Sequence, residues 1–430
     1  MNNKRLRGAL QNAVLLLLTL SALFLLAQLP SLRGIQWTGR VQALLNSAPV
    51  SSVQEQAVYP AELLPSVQLL VTGDSEYGRY GILNVPAEDP VLQTVMPLFQ
   101  EAVGSATEAG TAADASLRAS LKDPGFYLDL TPSASLPMPA LEPWLGELDG
   151  GMDRQVRALA LTAGEEGSAL LYLLEPEGDI WLYETALPVS AVRNACEAFS
   201  PNGACFSYET SYGSLESYTM LTAQTDPLPD LNTELPAGYL PYNLLTALDF
   251  NAHTLSRYTE SGGAEVVEES PRTLRISPNG TVSFTSRGEI ASPLFQTGSE
   301  APELREVLTV GWRRASALTE GTGASPLRLR AVEETADGYV LRFRYEVDGT
   351  PVVFSDAGDA LTVTFQSGQV TAFTYRCRVY TPSEEESGQL MLPPFMARAV
   401  ASIYPDASLS VGYEDSGAGP LAAQWLAGSR

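Results

Sequence analysis

Histidine is nearly missing from this chain, with His253 the only one among 430 residues. A single imidazole cannot make a His-Glu-x-x-His zinc pair or a three-histidine metal site, and a Ser-His-Asp triad would have to be built on that one residue. His253 follows Asp249-Phe250-Asn251-Ala252 at the end of a predicted helix, where a structural or capping role is expected. Lysine is almost as scarce, at positions 4 and 122, and Ala119 stands three residues before Lys122, so the Ser-x-x-Lys of penicillin-recognising enzymes is absent. Nor is there a Gly-x-Ser-x-Gly elbow, a phosphate-binding P-loop or an EF-hand calcium loop. The three cysteines, Cys196, Cys205 and Cys377, are spaced unlike any zinc pattern. Ser200-Pro201-Asn202-Gly203 between the first two is a turn signal, so a Cys196–Cys205 disulfide is within geometric reach, and buried thiols fit equally well.

Basic charge is also in short supply, with 26 Lys and Arg against 50 Asp and Glu and a net charge of −24. An acidic surface repels nucleic acid and anionic headgroups, which excludes DNA, RNA and polyanionic polymers as main partners. Solubility and a specific basic partner both remain as uses for it. Paired carboxylates could still converge in a wall-hydrolase cleft, but Glu165-Glu166 and Glu384-Glu385-Glu386 read as solvated turns. No cofactor or metal site is expected.

What the sequence does contain is one uncharged apolar run from Ala9 to Leu29. At ~1.5 Å per residue it reaches across the ~30 Å hydrocarbon core of a bilayer. Lys4, Arg5 and Arg7 precede it with no acidic residue among them, which places the N-terminus in the cytoplasm and the rest outside. Without those three the basic count falls to 23, a net of −27 for everything beyond the anchor. A cleaved signal peptide begins the same way, but the run is long for one and Leu25-Leu26-Ala27 is a poor cleavage site. An uncleaved anchor is the expectation. Ala9, Ala13, Ser21 and Ala22 are the small residues on which a second helix could pack.

Hydrophobic residues at 45% and charged ones at 18% describe a folded body. The expected fold is α+β: the single transmembrane helix (9–29, after a cytoplasmic 1–8), a stalk (30–59), and two exported domains of mainly antiparallel sheet with packed helices. These domains span 60–225 and 242–430 and are joined by a Pro-rich linker at 226–241, with a further subdivision from about residue 300. In the first, strands are expected at 65–71, 126–130, 156–161, 169–174, 180–183 and 206–209, a loop at 104–113, and helices at 89–103, 141–145 and 190–199. Pro97 should kink or break the first of these helices. In the second, helices are expected at 242–248, 303–318 and 394–403. An Asn-Gly hairpin joins Arg272–Ile276 to Val282–Thr285, a five-strand meander runs from Leu327 to Tyr380, and a last strand spans 409–413.

Five stretches carry a resemblance. Pro201 to Glu209, Leu248 to Asn251 and Arg272 to Val282 resemble the YycH family of Gram-positive bacteria, and Tyr345 to Val352 with Tyr375 to Tyr380 is similar to its relative YycI. The resemblance implies a non-enzymatic accessory protein of the WalK/WalR (YycG/YycF) two-component system, which controls cell-wall metabolism. Its partners would be a WalK-like sensor histidine kinase and a second YycH/YycI-type subunit, met through the transmembrane helix and the exported body. The family carries no catalytic residues onto this sequence. The alternative expectation is an exported binding module that senses an apolar or wall-derived ligand between its two halves.

Overall fold

The computed structural model describes residues 59–383 and 408–428, apart from 74–77, 131–133, 147, 149–151, 165–166, 211–214, 223–227, 252, 291, 293 and 418. Among these residues no helix is long and apolar enough to cross a membrane. The run 9–29, with Ala9, Ala13, Ser21 and Ala22, lies outside them, as do the helix expected at 394–403 and both glutamate runs. Val58–Arg430 forms one compact unit, a mixed α+β body of mostly antiparallel sheet.

The N-terminal half begins with β1 (Val67–Thr72) and β2 (Arg79–Val85), followed by helix α1 (Pro90–Gly104) and β3 (Thr107–Thr111). Asp89 caps α1 by accepting from the Val91 amide at 2.8 Å, and Pro90 occupies the first turn, where a missing N–H costs nothing. Leu92, Val95, Met96, Phe99, Ala102 and Val103 form its buried stripe. Pro97 does not break this helix: it and Gln93 one turn earlier both face solvent, so the freed Gln93 carbonyl can turn to water. The expected loop at 104–113 is instead partly a strand. β3 is exposed and weakly β-forming in sequence, but it gains backbone bonds by pairing at the sheet edge.

Helix α2 (Asp114–Ser120), β4 (Gly125–Asp129), a separate small pair β5 (Leu136–Pro137) and β6 (Gln155–Val156) enclosing helix α3 (Glu142–Leu145), and the strands β7 (Ala158–Ala163), β8 (Ser168–Leu174) and β9 (Ile180–Pro188) follow, and β4 and β7–β9 complete the first sheet. Its order is β2-β1-β4-β7-β8-β9-β3, and the strand pairs within it are antiparallel. Helix α4 (Val189–Cys196) crosses one face, and β10 (Cys205–Phe206) pairs with β11 (Met220–Leu221) on the other. The strand expected at 206–209 stops at Phe206, because Ser207–Glu209 turn as a 3-10 helix.

Within the expected linker, β12 (Leu231–Glu234) pairs with a strand almost 150 residues later, so these residues are part of the body. Helix α5 (Pro241–Ala247) precedes four antiparallel strands, β13 (Ser256–Thr259), β14 (Glu265–Glu269), β15 (Arg272–Ile276) and β16 (Thr281–Ser286). Helix α6 (Leu304–Thr322) packs against α5 and the sheet. Then come β17 (Leu327–Thr335), β18 (Gly338–Val347), β19 (Thr350–Phe354), β20 (Leu361–Gln366), β21 (Gln369–Arg376), β22 (Val379–Pro382, the partner of β12), β23 (Ser408–Asp415) and β24 (Ala423–Gly428). Together with β13–β16, all but β22 make an eleven-stranded sheet.

The expected meander is interrupted, since β20 pairs directly with β18 and β19 turns away to pair in parallel with β23. Asp348-Gly349 and Ser367-Gly368 both have positive φ at each position, as the tight primed hairpin turns require. The tail beyond Asp415, which has little sequence signal, includes β24. One apolar core cluster runs through both sheets, from Leu69 and Phe99 to Phe343 and Phe373.

Candidate functional site

Where the two sheets meet, polar side chains pin them together. The buried Glu346 of β18 accepts from the Ser66 amide at 3.0 Å and pairs with the buried Arg344 at 2.7 Å. Asn84 of β2 donates to Thr350 and to the Val411 carbonyl. Arg328 of β17 reaches the Glu62 carbonyl and pairs with Glu88 at 2.7 Å. Gly349 lies so close to the Asn84 carbonyl that a β-carbon there would collide with it.

Further along the same seam a cleft of about 810 Å³ opens between the β5–β6 region and α3 on one side and β17, β18 and the start of α6 on the other. Pro137, Met152 and Val332 give it an apolar floor, and Asp153, Glu303 and Glu334 stand exposed at its mouth. Arg305 crosses to Glu142 at 3.1 Å. Arg154 is held by Glu108 at 3.3 Å and Glu175 at 3.7 Å and lies over the Trp181 ring at 3.3 Å. The Tyr339 hydroxyl is pushed upward in pKa, first by burial and then by Glu334 and Asp153.

A second, smaller cavity of about 220 Å³ lies in the N-terminal half beside Arg157, Glu216 and Tyr218. Arg157 Nη2 bridges Glu216 at 2.8 Å and Asp129 at 3.3 Å, and all three side chains are largely buried. Glu216 also accepts from the Tyr218 amide at 3.2 Å. Asp129 Oδ1, by contrast, is buried without a hydrogen-bond partner. Burial lifts the Asp129 carboxyl above its usual range, with Arg157 opposing and Glu216 adding. Burial, the largest single influence, would lower the Arg157 guanidinium, but Asp129, Tyr127 and Glu216 together outweigh it and drive the pKa up. This is a pair of carboxylates spent on one arginine. A glycosidase instead needs its two carboxyl groups facing a substrate across a cleft.

Nothing in the sequence marks this trio, because Asp129, Arg157 and Glu216 are single charges in separate segments that only the sheet brings together. Tyr208 and Tyr218 pack at 5.7 Å around Arg118, which lies 4.7 Å from the Tyr208 ring. Burial raises the Tyr208 hydroxyl to about 12.

Cys196 and Cys205 are thiols in different surroundings: Cys196 is buried in the main core with its Sγ 3.7 Å from the Gly125 carbonyl, and Cys205 packs by Leu215 and Leu221. His253 is exposed, and its amide donates to Asn251 Oδ1 at 3.0 Å. Among the described residues no group of three His, Cys, Asp or Glu could hold a metal ion.

Arg314 on α6 is the largest fully buried side chain. It lies 3.7 Å from the Phe295 ring and donates to the Leu294 carbonyl, while Nε and Nη1 have no partner. Burial, then Arg272, lowers it to about 9 against the pull of Asp249. Helical spacing placed this residue on a helix but gave no sign that it faced inward. Set beside known proteins, the chain matches no family model, no curated protein and no solved structure.

Proposed function

We propose that this protein is a membrane-anchored, non-enzymatic accessory subunit whose body stands outside the cell and adjusts a WalK-like, cell-wall-sensing histidine kinase through contacts. The run Ala9–Leu29 and its basic flank support the anchor and the orientation. The resemblance to YycH and YycI supports the partner. The structural observation that carries the reading is the seam: two sheets with one core, joined by the buried Glu346–Ser66 link, so that the halves present themselves to a partner as one body. Such a body can bias a kinase by binding two of its states unequally, and ~1–3 kcal/mol of difference suffices.

The test is co-purification from membranes. The full-length chain should bring down a sensor kinase and a second accessory subunit, and a chain lacking residues 1–30 should lose or weaken both. Equal recovery without those residues would remove the transmembrane helix from the interaction. Bulky replacements at Ala13 and Ser21 should in turn weaken crosslinking to the kinase helix.

A second reading is favoured by the seam cleft. At about 810 Å³ it falls within the ~300–1,000 Å³ range of small-molecule sites. In this reading the body is a sensor, and a ligand held between its halves is its input.

A further inference from the structure

Resting on that second reading, we propose that the seam cleft takes an amphipathic organic cation: an apolar body bearing ammonium or guanidinium groups. The cations already in the wall are committed, Arg305 to Glu142 and Arg154 to Glu108 and Glu175. The mouth carboxylates of Asp153, Glu303 and Glu334 have no ion-pair partner among the described residues. Counting the lining side chains, four carboxylates meet two guanidiniums, so an entering cation completes the charge.

Tyr339 lines the cleft as the cross-strand partner of Glu334, with its hydroxyl near Asp153 as well, and an aromatic side chain among carboxylates is the surrounding that organic cations prefer. A bare divalent ion is the wrong occupant, because these acids do not converge into a metal-holding group. The apolar floor of Met152, Val332 and Pro137 selects for a ligand with hydrocarbon behind its charge.

The experiment is calorimetric titration of the full-length chain with acetyl-Leu-Lys-Leu-Lys-amide and with its glutamate counterpart. The lysine peptide should bind and the glutamate peptide should not. Asp153→Asn, Glu303→Gln and Glu334→Gln combined should weaken lysine-peptide binding by about tenfold or more, three exposed pairs each contributing modestly. Glu303 makes no side-chain cap on α6, so its neutralisation leaves the helix start intact.

Neutralising the exposed Glu101, Glu197 and Glu320 instead removes equal charge elsewhere and should change binding less than about twofold. Equal loss in both triple variants would reduce the effect to surface charge and overturn the proposal, as would no lysine-peptide binding at all. Met152→Trp, which fills the floor, separates the two failures. If the glutamate peptide binds and Met152→Trp abolishes it, the cation assignment falls and the cleft stands. If Met152→Trp leaves all binding unchanged, the cleft reading falls as well.

Discussion

Replacing Glu216 by Gln and Asp129 by Asn should have very unequal effects, although both carboxylates touch the same guanidinium. Glu216 sits 2.8 Å from Arg157 Nη2 and also takes the Tyr218 amide. Removing its charge leaves a buried arginine short of its nearer counter-ion and weakens a charged hydrogen bond, which costs about 2–4 kcal/mol. Asp129 is the more distant partner, at 3.3 Å, and has an unpartnered Oδ1 and a carboxyl whose pKa is already raised. With both acids ionised the trio carries one excess negative charge, and Asp129→Asn removes it. That substitution should change stability by no more than about 1 kcal/mol, in either direction.

The pH dependence has a definite sign. Because the folded Asp129 pKa lies above its unfolded value, the folded state binds the proton more tightly, and the contribution is fully present below the unfolded pKa. It is lost as pH rises through the folded pKa. Relative to Asp129→Asn, the native protein should therefore gain stability as pH falls from neutral through that window. Urea denaturation of the three proteins between pH 4 and pH 8 measures both effects. Equal losses for the two substitutions, or a difference independent of pH, would refute the unequal division of Arg157.

Arg314→Met should be nearly neutral or stabilising, since it replaces an unpaired buried cation by an apolar chain of similar length, whereas Arg314→Ala should cost about 3 kcal/mol or more by opening a cavity. With its folded pKa lowered to about 9, Arg314 stabilises the fold progressively as pH rises above that value, so the native protein should gain on Arg314→Met between pH 8 and pH 10. Glu346→Ala should cost about 3–5 kcal/mol, because it removes the carboxylate 2.7 Å from the buried Arg344 and the acceptor of the Ser66 amide; thermal unfolding reads it. Gly349→Ala should cost more than about 1 kcal/mol by the same assay, since it adds a β-carbon at positive φ against the Asn84 carbonyl.

The local signals in the sequence were strong wherever one segment suffices to form the element. Asp89-Pro90 starts α1, Asp348-Gly349 makes a hairpin turn, and alternation marks β15 and β16. They fail where the stabilising partner is distant. β3 and β24 have little intrinsic strand character and exist through pairing with β9 and β23, and β12 lies in a Pro-rich stretch closed by β22. Pro97 misleads for a related reason, because its cost depends on whether the freed carbonyl faces water. The cleft is the least legible feature of all: Asp153, Glu303 and the Glu334–Tyr339 pair of the β17–β18 hairpin come from three separate segments and meet only when the sheets join.

Regulation by contact from outside a membrane requires that the body stand outside and remain tethered. The direct measurement is protease treatment of intact cells expressing the chain with a C-terminal tag. Loss of the tag and digestion of the body, with an N-terminal fragment of about 30 residues left in the membrane, is the expected result. A body untouched until the cells are lysed, or one released intact into the medium with its first residues removed, would contradict it.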